Sequence, residues 1–224
     1  MINSKFDKIY CILNLDNKER IKNVQNVFNK YNINNVTYIY TFNKPIYKNV
    51  RNSYPSIITK FYDEYYEHDK NIYNKVFDVA LNHYNIVKQS YKLGLNNILI
   101  IEDDLNIIVN KSVFEQIIES IPNNYDILKF HNGGDEHFLP ITNKTNINWI
   151  THNDKLPFSF FSTIMVGYSR NGMKEYFSQI EKNGIAPSDI YFNNIYKKLN
   201  VYYLDSYFIK PILKSTILKS IIND

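Results

Sequence analysis

Three adjacent carboxylates, Glu102-Asp103-Asp104, are the residues of this chain best placed to do chemistry. They follow an unbroken apolar run, Ile98, Leu99, Ile100 and Ile101, with no spacer. Like charges this close repel one another, so holding three of them at the mouth of a buried strand is costly without a counter-cation. Clustered carboxylate oxygens suit a hard divalent cation. The competing reading is a solvated acidic turn whose aspartate caps the following helix.

The elements around the triplet decide what it can reach. A four-residue apolar run suits a strand buried on both faces, as in a parallel sheet. In open α/β sheets ligands collect just beyond the strand C-termini, where these acids would sit. Residues 8–13 read as a first strand, closed by Asn14-Leu15-Asp16. A helix follows with Ile21, Val24, Phe28 and Tyr31 at spacings of three and four, and Asp16 with Glu19 makes a capping-box pattern. Residues 36–42 alternate as a second strand. Residues 75–93 keep Ala80, Leu81, Tyr84 and Val87 on one helical face, and Gly94 supplies the stop.

Beyond the triplet the pattern predicts a helix carrying Phe114, Ile117 and Ile118, and strands over 125–130 and 160–168. A helix over 171–182, capped by Ser169 and stopped by Gly184, comes next. Pro187-Ser188-Asp189 opens a last long helix, and residues 201–204 form a strand. Residues 43–74, interrupted by Pro45 and Pro55, read as a loop-rich excursion whose acids are solvated; 212–224 read as a tail that packs back on the domain. The expectation is an α/β fold with a mostly parallel central sheet flanked by helices, in one domain spanning 1–224. No Gly/Ser-rich linker and no internal repeat divides the chain.

Composition narrows the function classes. With 224 residues and 44% hydrophobic content, the chain can bury a full core. Its single cysteine, Cys11, leaves no intramolecular disulfide framework and fits a reducing compartment. The first residues carry no apolar leader core, and no apolar run approaches the length of a membrane span, so the reading is a cytoplasmic protein. The net charge of +4 comes from scattered lysines, and affinity for nucleic acid rests on clustered contacts, so no nucleic-acid partner is expected. Abundant Asn, Ile, Lys and Tyr are what an AT-rich genome encodes, as in a low-GC microbe or a large DNA virus. The turn after residues 125–130, His131-Asn132-Gly133-Gly134, is no phosphate-binding fingerprint, because neither G-x-G-x-x-G nor G-K-[ST] is present.

The order of several motifs carries a family resemblance. I-Y-C-I-L-N-L-D-N-K-E-R, V-A-L-N-H-Y, I-L-I-I-E-D-D, Y-D-I-L-K-F, V-G-Y-S-R-N-G and P-S-D occur in that sequence across residues 9–205. This set resembles the glycosyltransferase family 25 proteins, which include lipooligosaccharide and collagen galactosyltransferases. The chain departs from the family pattern at Asn82, where serine is usual, and at Gly167, where alanine is common. The resemblance implies a GT-A fold, a UDP-hexose donor (galactose or glucose) and Mn2+ or Mg2+. It implies inverting transfer to a glycan, glycolipid or protein hydroxyl.

On that resemblance Asp104 and Glu102 are the expected metal ligands, with Glu102 or Asp103 holding the ribose or a metal-bound water. Asn14, Leu15 and Arg20 fall where the family holds the nucleotide; Arg20 could equally be a surface residue paired with Asp16. His83 falls in the family's Ser-His position, as a donor-site residue or a structural hydrogen-bonder. Asp189 matches the family aspartate expected at the catalytic position. His131, after the Y-D-I-L-K-F strand, could supply an imidazole to the metal; as a loop histidine it is expected to be solvated. The alternative to an enzyme is a non-catalytic nucleotide-sugar-binding module of the same descent. Either could be a homo-oligomer, built on the Tyr-rich excursion or the apolar tail.

Overall fold

The computed structural model describes residues 1–41, 70–131, 147–151, 162–185, 198–204 and 208–211. At its centre lies β3 (Asn97–Glu102), where Ile98, Leu99, Ile100 and Ile101 are wholly buried. The reason is that the strand has helices on both faces and strands on both edges. On one edge it runs parallel to β1 (Lys8–Asn14), which pairs in turn, also parallel, with β2 (Val36–Thr41). On its other edge it runs antiparallel to β7 (Met165–Ser169). β7 is antiparallel to β5 (Ile127–Lys129), β5 is parallel to β8 (Val201–Leu204), and β8 is antiparallel to β6 (Trp149–Thr151). The sheet order is β2-β1-β3-β7-β5-β8-β6.

The sheet is therefore mixed rather than mostly parallel. β1, β2, β3, β5 and β8 share a direction, but β7 wedges between β3 and β5 the other way. A run such as Met165-Val166-Gly167-Tyr168 is apolar in either direction, because a central strand is buried on both faces whatever its polarity.

The pleat divides the core in two. Side chains at Ile98 and Ile100 face α3 (Lys70–Lys92) and α5 (Arg170–Asn183), joining Ala80, Leu81, Tyr84, Val87, Met173, Tyr176 and Ile180. Leu99 and Ile101 face α2 (Lys18–Tyr31) and α4 (Lys111–Glu119), joining Val24, Val27, Phe28, Phe114, Ile117 and Ile118. Successive side chains on a strand point to opposite faces. A short opening helix, α1 (Ile2–Lys5), adds Ile2 to the α2 side.

Local signals are confirmed at several helix ends. Ser169 Oγ accepts from the Gly172 N–H as N-cap of α5, and Gly94 and Gly184 adopt positive φ at helix ends. Others are corrected. The N-cap of α2 is Asn17, accepting from the Arg20 N–H, not Asp16; the Asp16 N–H instead donates to Asn14 Oδ1 at 3.1 Å. Helix α3 begins at Lys70, so the last residues of the expected excursion are helical; 43–69 and the tail 212–224 lie outside the described residues. Residues 162–164 precede β7 rather than belonging to it. A small second sheet, β4 (Leu105–Ile107) against β9 (Ile209–Pro211), was not expected, and Pro211 closes it opposite Leu105.

Candidate functional site

β1, β3 and β5 end on the same edge of the sheet, and β7, running the other way, begins there. That edge therefore gathers Asn14, the triplet 102–104, His131 and the Thr163-Ile164 approach to β7. β1 sends its outgoing connection to β2 on one side while β3 lies on its other side, so the chain's winding reverses between β1 and β3. Such a switch point opens a crevice between the loops that leave it.

The pleat also separates the triplet. Glu102 continues the face of Ile98 and Ile100 and turns toward α3, where His83 Nε2 stands 3.2 Å from its Oε1. The Thr163 hydroxyl donates to the same oxygen. Asp103 turns toward α2: its Oδ2 accepts from the Asn14 N–H at 2.7 Å and its Oδ1 from Arg20 Nη1 at 3.0 Å. The Asn14 contact fastens the end of β1 to β3 one step past their last paired residues, Ile12 and Glu102. Asp104 lies 3.9 Å from Arg20 Nη2 through Oδ2, and its Oδ1 is buried without a hydrogen-bond partner among the described residues.

Both flanks of the acidic segment are pinned. Ahead of it, the Glu102 N–H donates to the Ile164 carbonyl at 2.8 Å. Behind it, Asn23 Nδ2 donates to the Leu105 carbonyl at 3.1 Å, and Tyr31 Oη donates to that of Ile107 at 3.0 Å. Helix α2 thus holds both Arg20 and the far end of the acid loop.

The electrostatics follow from this division. Burial pushes Asp104 up to about 7; Glu102 and Asp103 add to the rise and Arg20 opposes it. Burial raises Asp103 as well, against the Asn14 N–H and Arg20. Burial would also raise Glu102, but the bonds from His83 and Thr163, with Arg20 nearby, hold it below the usual carboxylate range. The same acids act on Cys11, whose thiol is pushed well up first by burial and then by Asp103, Glu102 and Asp104.

Several expectations are answered by this geometry. Arg20 pairs with Asp103 and Asp104, so the alternative pairing with Asp16 is not the one formed. His83 is wholly buried and bonded to Glu102. Leu15 lies exposed in the turn after β1. His131 is buried at the end of β5, not solvated. Asp189 lies outside the described residues. Thr163 belongs to no motif and no local pattern selects it, since only the β3–β7 register brings it to Glu102. The strand period itself, carried one residue past Ile101, was a usable signal that Glu102 and Asp103 part company.

Glu102 and Asp104 are the carboxylates with oxygens left to offer a cation: both bonds to Glu102 fall on Oε1, and Asp104 keeps its orphaned Oδ1. Among the described residues no group of three or more His, Cys, Asp or Glu converges as a ready ligand set. No helix among them is long and apolar enough to cross a membrane. No protein-family model matches the chain, and no curated protein matches it.

Proposed function

We propose that this chain is a metal-dependent glycosyltransferase of GT-A type, moving a hexose from a UDP-sugar to a hydroxyl of a glycan, glycolipid or protein. The observation that carries the reading is the unsatisfied Asp104 oxygen beside Glu102 at the β1/β3 switch point. A buried carboxylate oxygen without a donor is costly to retain, and a ligand or cation that supplies the missing partner explains its retention. The ordered motifs across residues 9–205 support the same reading.

In this reading Glu102 and Asp104 would hold Mn2+ or Mg2+, since cations that serve phosphates are commonly held by one or two protein carboxylates. The chemistry such a cation would supply is compensation of the charge on the departing diphosphate. Asp103 does not meet the ion; it is taken up by Arg20 and the Asn14 N–H and fixes the loop on which its neighbours stand. Among the described residues the buried Nε–H of Arg20 has no hydrogen-bond partner, a donor suited to a phosphate or ribose oxygen. Asn14 and Leu15 border the nucleotide, and His83 acts through Glu102. Inversion requires one base to take the acceptor proton as the hydroxyl attacks, and Asp189 is assigned that role.

A second reading, a nucleotide-sugar-binding module without turnover, has its own observation: two carboxylates of the triplet are already bonded within the protein. The separating experiment is a melting series with UDP and UDP-sugars, with and without Mn2+, on wild type and Asp104→Ala, followed by an assay for UDP release. Ligand that binds only the folded form raises the melting temperature through mass action. A Mn2+-dependent shift lost in the variant, with UDP release, supports the enzyme. A shift without release supports the module, and no shift with any nucleotide rejects both.

A further inference from the structure

Two donors from distant elements meet on one oxygen of Glu102. His83 comes from the middle of α3 and is wholly buried, with Nε2 3.2 Å from Oε1. A carboxylate is acceptor-only, so Nε2 carries the hydrogen facing it. His83 Nδ1 is buried without a hydrogen-bond partner among the described residues, so the Glu102 contact is the ring's anchor there. Thr163 comes from the approach to β7 and donates to the same Oε1. Immediately before it, Ser162 has φ 141°, a conformation rare for a residue with a side chain. Backbone held in such a region persists where the surroundings over-determine it, commonly beside functional groups.

Two donors on one oxygen fix both the χ rotation and the carboxylate plane, while the second oxygen, Oε2, is left out of both bonds. We infer that His83 and Thr163 form a two-donor clamp that orients Glu102 and presents Oε2 to the ligand bound at the sheet edge. This rests on the glycosyltransferase reading above and adds to it two positioning residues, one of them absent from the sequence motifs. The clamp also explains the burial of His83: the ring stands behind the carboxylate, on the core side, and touches no ligand itself.

Groups that orient a ligating side chain alter metal affinity by roughly 10–100-fold when removed. The test is calorimetric titration of Mn2+ with UDP into wild type, Thr163→Val, His83→Leu and the donor-retaining variants Thr163→Ser and His83→Gln. Each variant is checked for folding by circular dichroism and its melting temperature. The expected result is about 10-fold or greater weakening in Thr163→Val and His83→Leu, with recovery toward wild type in Thr163→Ser and His83→Gln. In a Glu102→Gln background, Thr163→Val should have little further effect. Should His83→Leu fail to fold, the Thr163 pair carries the test alone, since Thr163 is at the strand approach and valine matches its shape. Wild-type binding with undiminished affinity in Thr163→Val, or weakening that Thr163→Ser does not restore, overturns the clamp while leaving the glycosyltransferase reading intact. Absence of Mn2+-dependent UDP binding in wild type overturns that reading, and the clamp with it.

Discussion

Replacing Asp104 by asparagine should stabilise the ligand-free protein, and the gain should depend on pH in a defined direction. Asp104 is raised to about 7 by burial and by Glu102 and Asp103. An acid whose folded pKa exceeds its unfolded value favours folding while protonated, and that contribution fades as pH climbs from the unfolded pKa to the folded one. Between about pH 4 and pH 7 the wild type should therefore lose stability relative to Asp104→Asn, which carries no charge at any of these values. The rise from the ordinary aspartate value to about 7 corresponds to at most about 4 kcal/mol. The side chain keeps 20% of its surface exposed, and solvent screening there reduces the gain to about 2 kcal/mol. For a chain of this size that is a rise of about 4–8 °C in melting temperature. The assay is thermal unfolding of both proteins in matched, metal-free buffers from pH 4 to pH 8. The two should melt together near pH 4 and separate progressively to pH 7, with a constant gap above it. A gap already complete at pH 4, or a variant less stable than wild type at pH 8, would refute the account of Asp104 as a strained, ionised carboxylate.

Two further outcomes follow from the packing. A Cβ added at Gly172 would lie 2.0 Å from the Asp126 carbonyl oxygen, a backbone atom that cannot step aside; Gly172→Ala should cost about 3 kcal/mol or more in denaturant unfolding, whereas Ala at the exposed Asn171 should cost far less. Cys11 is wholly buried with its thiol pushed up by burial; iodoacetamide should leave it unmodified in native protein and alkylate it on unfolding, as mass spectrometry would show, because the thiolate is the reacting form.

Much of the central architecture was legible because it obeys short-range rules. The 98–101 run, the Gly94 and Gly184 stops, the Ser169 cap and the strand at Val201–Leu204 are each specified within a few residues. What was not legible depends on partners far along the chain. Arg20 has Asp16 four residues away, yet it binds Asp103 and Asp104 because the turn at the end of β1 faces the end of β3. The polarity of β7 is invisible in its composition, and with it went Thr163. β4 and β9 are three-residue strands, too short for an alternation to declare itself.

The motifs behind the family resemblance divide in an informative way. In V-G-Y-S-R-N-G, Ser169 caps α5, Arg170 donates to the Tyr91 and Leu95 carbonyls at the end of α3, and Gly172 packs on the Asp126 carbonyl. Asp126, from Y-D-I-L-K-F, accepts from Ser169 Oγ, Asn171 Nδ2 and the Asn200 N–H. These two motifs interlock as a structural joint. I-L-I-I-E-D-D and V-A-L-N-H-Y, by contrast, meet through Glu102 and His83 at the strand ends.

The bonds that assemble this edge span long stretches of chain: 89 residues from Asn14 to Asp103, 83 from Arg20 to Asp103 and 61 from Glu102 to Thr163. A ribosome adds residues in order, so a nascent chain can join Asp103 to Arg20 well before Thr163 has been made. Glu102 would meanwhile wait with His83 as its donor. The partners of the two sides of the acidic segment are therefore synthesised at different moments. A chain cut short before β7 would lack the hydroxyl that completes Glu102 and, with it, the antiparallel neighbour of β3.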